Sequence, residues 1–516
     1  MRYIKFLTVA LGAAVVVSCT KLEEEQRDSV NFQRASASGL LQGAYNSLNG
    51  IQTQDVVWAL QEHSSDEALG PTRGPDWDDN GVWRVIHNHQ WDADHSIVRN
   101  SFNSLLTAQF SATAVLEQSP TASESAQARF IRALSVFLVC DMYDQVPYRE
   151  DLKDLKAVPV TLKGTEAANK VISELETVLS QLPDNTGNTF VANKDAARAL
   201  LMKTYLNKGV YANRVSPTFA AADMDKVIAY ADAILNNPKY KLNDNFYTNF
   251  APNNNTASTE LIFSLENTIG VRGGNPRFHW YCGTHYNMRP SGWNGFTTLA
   301  DFYDKFDAAD TRRGAAYTGV TDKTGLRVGL LVGQQLNEKG EELNDRKNNK
   351  LAFTRAVALK ETGNNLEITG IRVVKYPPDF SQGIGNDGTV ENEYVIFRLA
   401  DVMLMKAEAL FRKNGAGDAT ALKLVNDLRK KRIEPDPADL TTLTAQTLLD
   451  ERGRELYWEG WRRNDQIRFG TFLNALTAGS GTTSTRPTKS GNERLLFPIP
   501  NQQLAVNPNL EQNPGY

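Results

Sequence analysis

Two stretches of the chain combine aromatic side chains with hydrogen-bonding groups, as ligand-binding loops do. They span residues 75–84 and 272–296, and neither follows helical periodicity. The candidate ligand contacts are Trp77, Trp83, Asn275, Trp280, Tyr281, Tyr286, Arg289, Trp293 and Asn294. Flat aromatic faces pack against the C–H surface of a sugar ring, while Asn, Asp and Arg side chains bond its hydroxyls. We therefore expect these loops to bind a hydroxyl-rich ligand, with buried packing as the alternative for the tryptophans.

The first of these loops also carries the opening of a calcium-binding loop. Asp76, Asp78 and Asn80 alternate before Gly81, as oxygen ligands do in an EF-hand. The twelfth position is His87, where an EF-hand needs a bidentate glutamate. An Asx-rich turn accounts for the same residues, because Asn and Asp side chains bond their own backbone. We expect no metal or other cofactor and keep calcium as the weaker alternative.

Histidine is scarce, with six residues in the chain. Most of them fall into two groups that also have metal-ligand chemistry, namely His87, His89 and His95, and His279 and His285 around Cys282. Polar loop residues with satisfied hydrogen bonds are the more common explanation of such groups. The sequence contains no phosphate-binding glycine loop, nucleophile elbow or HExxH motif, so we assign no catalytic residue.

The chain that must position these loops is long, nearly neutral and of globular composition. It has 516 residues, of which 41% are hydrophobic and 22% charged, with a formal net charge of -4. These values argue against a disordered chain and against a multi-span membrane protein. The lack of a basic tract argues against a nucleic-acid binder. Cys140 lies in an apolar helical stretch and is expected to be a buried thiol.

The first twenty residues indicate export and lipid attachment. Arg2 and Lys5 precede an apolar stretch at 6–17. This stretch is too short to span a membrane, which takes about 20 apolar residues. Residues 16–19, Val-Val-Ser-Cys, resemble a bacterial lipobox with Cys19 as the lipidated residue, and an ordinary signal peptide is the alternative. The acidic residues after it resemble the signal of surface-exposed lipoproteins. We predict a signal peptide at 1–18 and a lipidated tether at 19–30.

Recurrent helical periodicity predicts a mostly α-helical body. Apolar residues share a helix face at 97–110, 130–138, 171–182, 200–205, 227–235 and 399–428. Turn-forming residues, such as the Pro-Asp-Asn at 183–185, separate these stretches. Neighbouring helices are therefore expected to pair, either as a tetratricopeptide-like array or as a plain helical bundle.

The helical pattern fades between about residues 240 and 395. Asn and Gly become more frequent there, and β-prone runs appear at 261–265 and 371–376. Long loops inside a compact protein are usually functional. We expect an irregular, loop-rich layer with a few short strands on the helical scaffold.

Four stretches of this chain together resemble the SusD/RagB family. They are AQARFIRAL at 126–134, FRLADVMLMKAEA at 397–409, the charged segment at 451–470, and PIP at 498–500 followed by NPNLEQNPGY at 507–516. Asn464 and Gln466 depart from the aromatic and apolar residues usual at those positions. The order and spacing of the stretches match the family over most of the chain.

The resemblance implies a mostly α-helical, tetratricopeptide-like fold in one compact unit. We divide it into an N-terminal helical region at 31–240 and a region at 241–516 that holds the loop layer and the C-terminal family motifs. The resemblance also implies a lipoprotein on the outer membrane, exposed at the cell surface. Such a protein binds a glycan or oligosaccharide without catalysing a reaction on it. The expected partner is a SusC-like TonB-dependent transporter that imports the captured nutrient.

Carboxylates near the C-terminus leave an alternative function open. The segment contains Glu455, Glu459, Arg462, Asp465 and Arg468. Two carboxylates on one helix face could act as the acid and base of a glycosidase. Carboxylates interleaved with arginines at this spacing also form structural ion pairs. The resemblance favours the structural interpretation. A surface glycoside hydrolase and a peptide binder are the alternatives to a glycan binder.

Overall fold

Apolar periodicity produces the long helices of the computed structural model, which describes residues 35–273, 276–384, 390–477 and 484–516. The helices before the loop layer are α1 Ala37–Ser47, α2 Val57–His63, α3 Val82–His87, α4 Ser96–Leu116, α5 Ala122–Tyr143, α6 Thr165–Val178, α7 Lys194–Ala212 and α8 Ala221–Leu235. The later helices are α9 Asn254–Ala257, α10 Ala300–Tyr303, α11 Thr321–Thr324, α12 Leu399–Asn414, α13 Ala419–Arg432, α14 Ala445–Leu456, α15 Arg462–Arg468 and α16 Asn501–Val506.

The strands are short and lie mainly in the loop layer. They are β1 Thr72–Arg73, β2 Gln145–Tyr148, β3 Val160–Lys163, β4 Leu261–Leu265, β5 Gly314–Ala315, β6 Val328–Leu331, β7 Gly333–Gln334, β8 Ala352–Phe353, β9 Lys360–Glu361, β10 Arg372–Val374 and β11 Tyr394–Arg398. β4 pairs with β11, and β10, β6 and β5 form an antiparallel three-stranded sheet. The β-prone runs predicted at 261–265 and 371–376 thus form β4 and β10.

Local sequence explains where the scaffold helices begin. Thr121 and Glu124 form a capping box at the start of α5, in which each side chain accepts a hydrogen bond from the other residue's backbone N–H. Asn193 caps α7 by accepting a 2.9 Å bond from the N–H of Ala196. These caps satisfy backbone donors that have no partner inside the helix.

Consecutive helices pack against each other and form the scaffold. Each of α4 to α7 packs against the helix that follows it, α1 packs on α4, and α12 packs on both α8 and α13. Nearly all the apolar residues of α5 are buried between these neighbours. The paired helical scaffold was predicted from periodicity, and the structure confirms it.

Residues 37–516 form one compact unit. In the described part of the chain no helix is both long enough and apolar enough to cross a bilayer. The predicted signal peptide at 1–18 and the whole predicted tether at 19–30, including Cys19, lie outside the described residues. Cys140 is 1% exposed, and burial raises the pKa of its thiol to about 12, as expected for an unreactive core residue.

Candidate binding site

Residues from both aromatic loops line one depression of about 340 Å³, here named the aromatic depression. Its lining residues are Gln54, Asp55, Asp76, Trp77, Asp79, Trp83, Tyr286 and Trp293. The loops meet because Leu69, before the first loop, exchanges backbone hydrogen bonds of 2.8 and 2.9 Å with Thr297, after the second. Four of the predicted aromatic contacts are thereby brought together.

The first loop is a tight turn whose polar side chains hold its tryptophans. Trp77 and Asp79 have φ angles of 60° and 40°, in the left-handed region that few non-glycine residues adopt. Trp83 Nε1 donates a 2.8 Å bond to Asp79 Oδ2, and Arg84 pairs with Asp78 at 2.6 Å. The indole of Trp83, which is 6% exposed, is therefore fixed at the wall of the depression.

Trp77 connects the first loop to the second. Its Nε1 donates a 2.8 Å bond to the carbonyl oxygen of Trp293, and its ring lies 6.2 Å from the ring of Trp293 and 4.9 Å from that of Phe296. Gly295 permits this approach, because a Cβ there would lie 2.1 Å from the Trp77 ring. The indole pair is thus held by packing and by a hydrogen bond before any ligand arrives.

Trp293 is supported from within its own loop. Its ring contacts Tyr281 edge to face at 4.8 Å, and the guanidinium of Arg277 lies 4.6 Å from its centroid. Such contacts orient an aromatic ring beyond what burial alone does. Tyr281 therefore touches Trp293 and supports it, although Tyr281 does not itself line the depression.

Tyr286 forms the remaining aromatic wall and is held by a charged group. Its hydroxyl donates a 3.2 Å bond to Asp76 Oδ2. The guanidinium of Arg346 lies 4.1 Å from the Tyr286 centroid and pairs with Asp76 at 3.3 Å and Glu367 at 2.6 Å. Burial and the nearby negative charge of Asp76 raise the pKa of Tyr286, so its hydroxyl stays protonated and remains a donor.

Hydrogen-bond acceptors complete the lining. Gln54 Oε1 is buried and has no hydrogen-bond partner among the described residues. Asp55 beside it is partly buried, and Asp76 and Asp79 add two further carboxylates. A ligand rich in hydroxyl donors matches these groups, because a buried acceptor without a donor is costly.

The comparisons with known proteins agree on one family. A family model described as the SusD family matches residues 251–516, which is more than half of the chain. The chain belongs to the SusD family. The starch-binding protein SusD of Bacteroides thetaiotaomicron is 26% identical over 515 residues, covering 94% of this chain and 87% of that protein.

Solved structures of the SusD superfamily share the fold. A superfamily protein from Parabacteroides distasonis has a TM-score of 0.71 at 16% identity and covers 93% of this chain and 98% of its own. Surface glycan-binding protein A from Bacteroides thetaiotaomicron, solved with laminarihexaose, has a TM-score of 0.67 at 17% identity and covers 92% and 98%. The predicted mostly helical, tetratricopeptide-like fold of the SusD family is confirmed.

Other predicted contacts lie away from the depression of this SusD family member. Trp280 is 0% exposed, because its loop folds back so that Trp293 N bonds Tyr281 O at 2.7 Å. Asn294 is 1% exposed. Its amide oxygen accepts a hydrogen bond from Arg372, and its amide nitrogen donates one to the carbonyl oxygen of Glu367. We therefore revise both to structural residues in the site described here.

Arg289, another predicted contact, is not part of the lining. It is exposed and precedes a cis proline. Asn275 lies outside the described residues. Conversely, Gln54, Asp55 and Arg346 were not predicted. They lie outside the two aromatic loops, at 52–55 and 344–350, so composition gave no signal for them.

The candidate calcium ligands bind protein groups instead. Asp78 accepts bonds from Arg84 and Thr72, whereas Asp76 accepts from Tyr286 and Arg346. Across residues 35–273, 276–384, 390–477 and 484–516, no group of three or more His, Cys, Asp or Glu side chains is placed to hold a metal. Calcium binding has no support from this arrangement and stays an untested prediction.

The histidines serve packing and hydrogen bonding. His87 Nδ1 lies 2.9 Å from the carbonyl oxygen of Ala68, and His89 Nε2 lies 2.7 Å from that of Ser64. Burial lowers the pKa of His87 to about 3, which keeps its ring neutral. In the second group, His279 stacks on Tyr376 at 3.6 Å.

The C-terminal carboxylates lie in the core. Glu455 and Glu459 are 0% and 2% exposed. Arg398 pairs with Glu455 at 2.6 Å and with Glu459 at 2.8 Å, and Lys375 also pairs with Glu459. This is the structural ion-pair network that the sequence analysis favoured.

Proposed function

We infer that the chain captures an oligosaccharide in the aromatic depression. The observation that carries this proposal is the convergence of Trp77, Trp83, Tyr286 and Trp293 from two separate loops on one depression. A sugar ring is apolar on its faces and hydroxylated at its edge. The aromatic side chains suit its faces, and the neighbouring carboxylates and the unpartnered amide oxygen suit its hydroxyls. The walls are held by Gly295, Asp79 and Arg346, so little ordering is needed on binding.

We propose a glucose polymer as the ligand to test first. The relative SusD is named a starch-binding protein, and one structural neighbour was solved with laminarihexaose. Starch and laminarin differ in linkage but share the glucose ring. The lining carboxylates favour neutral sugars over acidic ones in this depression, because a uronate would meet Asp55, Asp76 and Asp79.

The proposed activity is binding without turnover. A glycosidase needs two carboxylates at the scissile bond, and Glu455 and Glu459 are buried in ion pairs where no polysaccharide reaches them. A peptide ligand remains the second candidate cargo. Incubation with glucans and peptides followed by mass spectrometry tests both statements, since a shortened product would overturn the binding-only proposal.

We also propose the cellular setting that family membership supports. Residues 1–18 direct export, Cys19 carries the lipid, and the folded body works at the outer-membrane surface with a SusC-like TonB-dependent transporter. Release of the protein from membranes by Cys19→Ala tests the anchor. Co-purification of the transporter with the wild-type protein tests the partner.

Calorimetric titration of the mature chain with maltohexaose and laminarihexaose tests the site. Trp77→Ala and Trp293→Ala are each expected to weaken binding at least about 30-fold, as loss of a recognition hot spot does. The matched control is Phe110→Ala, which removes a 38% exposed aromatic from α4, outside the depression. Unchanged affinity in both tryptophan variants would reject the assignment.

A further inference from the structure

A second cavity, of about 260 Å³, lies against the sheet β10–β6–β5 and shares no lining residue with the aromatic depression. Val328, Leu330 and Leu331 of strand β6 line one side of it. The polar side chains that line it are Tyr303, Asp310, Arg313, Arg327, Gln334 and Gln335. We name it the arginine pocket.

The arginine pocket carries positive charge that its own carboxylate does not balance. Asp310 is 2% exposed and gives both oxygens to Arg312, which donates from Nε at 2.9 Å and Nη2 at 2.7 Å. Among the described residues, the side chain of Arg313 bonds only the hydroxyl of Tyr303, over whose ring it lies at 4.3 Å. Within the part of the chain that the structure describes, neither Arg313 nor Arg327 forms an ion pair.

These two arginines contrast with the arginines of the scaffold. Arg312, Arg398 and Arg432 each bond to at least two carboxylates at 2.6–3.3 Å. Two arginines that line one small cavity without such partners are available to an anion, because a guanidinium group binds carboxylate oxygens bidentately. The charge therefore points to a carboxylate or a sulfate group on the ligand.

Gln334 narrows the choice of ligand. Its Nε2 donates to the carbonyl oxygens of Gln335 at 2.9 Å and Leu343 at 2.8 Å, so the amide cannot turn its nitrogen into the cavity without losing both bonds. Its Oε1 is buried and has no partner among the described residues. A simple anion offers this oxygen no proton, whereas a hydroxyl does.

Close-packed backbone supports one wall of the pocket, where strands β5 and β6 meet. Gly329 has a φ of 99°, and a Cβ there would lie 2.4 Å from Cα of Gly314 on the paired strand β5. Such a wall is formed before a ligand binds. A volume of about 260 Å³ is slightly below the usual ligand-pocket range of about 300–1,000 Å³, which suits one sugar unit.

We propose that the arginine pocket is a second ligand site, which binds a uronic acid unit of an acidic saccharide. The carboxylate pairs with Arg313 and Arg327, and a ring hydroxyl donates to Gln334 Oε1. This site is independent of neutral-glycan binding in the aromatic depression. Together the two sites would let one protein hold a glycan that carries both neutral and acidic units.

Calorimetry on the mature chain with tetragalacturonate, at low ionic strength, tests the proposal. The wild-type protein is expected to bind it, and Arg313→Gln and Arg327→Gln are each expected to weaken binding at least about 10-fold. Arg327 is exposed, so its replacement leaves the fold intact. Arg327→Lys is expected to restore part of the affinity. Lys339→Gln, which removes one exposed charge outside the pocket, is the matched control.

Competition experiments distinguish uronate binding in the arginine pocket from neutral-sugar binding and from general anion binding. Maltotetraose is expected not to compete with tetragalacturonate, and sodium sulfate is expected to compete only weakly. Absence of uronate binding by the wild-type protein, or sulfate binding of equal affinity, overturns the proposal. The proposal is also overturned if uronate binding survives Arg327→Gln but is lost in Trp293→Ala, because the uronate would then bind in the aromatic depression. Maltohexaose titration of the same variants reports separately on the aromatic depression.

Discussion

At the residue scale, Trp280 and Trp293 lie in the same loop but perform different tasks. Trp293 lines the aromatic depression, whereas Trp280 is 0% exposed in the core. We expect Trp280→Ala to lower the free energy of unfolding by about 3–5 kcal/mol, because it leaves a large cavity. Urea unfolding checks this. Trp280→Phe, which removes an indole N–H that has no partner among the described residues, should cost less than about 1.5 kcal/mol. A stable Trp280→Ala variant that fails to bind glycan would return Trp280 to the site.

Arg346 contacts the aromatic depression through Tyr286. It is half-exposed, lies 4.1 Å from the Tyr286 centroid and pairs with Asp76 and Glu367. Replacing it with glutamine removes the cation that holds the ring, so we expect about a 2- to 5-fold loss of oligosaccharide affinity. Stability should change little, because exposed ion pairs contribute about 0–1 kcal/mol. Titration beside the neighbouring Lys347→Gln variant measures the effect, and equal affinities for the two variants would contradict it.

Whether a residue of the aromatic depression could be predicted from the sequence depends on whether local sequence or tertiary structure places it there. Trp77, Trp83, Tyr286 and Trp293 were predicted because aromatics in polar loops stand out in sequence, and the structure brings them to one depression. Trp280 has the same local pattern, and only the fold of its loop buries it. Gln54 and Arg346 reach the site from polar stretches elsewhere in the chain, so their role follows from tertiary structure that no local pattern encodes.

At the scale of elements, α2 connects the depression to the core. Gln54 and Asp55 precede this helix, and Trp58 within it stacks on Phe278 at 4.2 Å. The helix ends near two buried acids, Glu62 and Glu67. Glu62 Oε1 accepts a 2.6 Å bond from the N–H of Gly460. The helix is therefore fixed between the second loop and the turn before α15.

The buried acid of α2 makes stability depend on pH. Burial raises the pKa of Glu62 from 4.5 to about 7, although the hydrogen bond from Gly460 and the charges of Lys375 and Arg462 oppose the shift. The folded state then binds more protons than the unfolded state between these values, so this contribution to stability falls as pH rises from 4.5 to 7. Glu62→Gln keeps the acceptor for Gly460 and removes the titration. We expect the variant to gain on the order of 2–3 kcal/mol relative to wild type between pH 4 and pH 8.

Urea unfolding at several pH values measures this difference. The exposed Glu338→Gln variant is the control, and its stability relative to wild type should be independent of pH. A Glu62→Gln variant that follows the wild-type pH profile throughout would show that the acid is ionised in the folded protein.

The long elements were predictable and the short ones mostly were not. Helices such as α4 and α6 repeat an apolar face over several turns, which is a strong local signal. Strands β5 and β7 have two residues each, too few for a period, and they form only because partner strands are brought to them. The scaffold was therefore predicted as pairs of helices, whereas the shape of the loop layer was not.

At the scale of the whole molecule, buried ion pairs join distant segments of the chain. Glu260 beside β4 pairs with Arg398 at the end of β11 and with Arg432 at the end of α13. Glu455 in α14 pairs with the same two arginines and with Arg312. The network links the loop layer to the C-terminal helices, which is why the charged family motifs belong to the scaffold.

Removing one carboxylate from this network should weaken the whole fold. Burial opposes ionisation of Glu455, but Arg432, Arg398 and Arg312 hold its pKa well below the usual range. Glu455→Gln leaves those guanidinium groups buried with one negative charge fewer, so we expect unfolding free energy to fall by about 3–5 kcal/mol. Urea unfolding beside the exposed Glu338→Gln control measures it. Oligosaccharide affinity of the folded variant should stay at the wild-type value, because Glu455 is not among the residues that line the depression. A variant that keeps wild-type stability but changes its action on glycans would instead make Glu455 a functional acid.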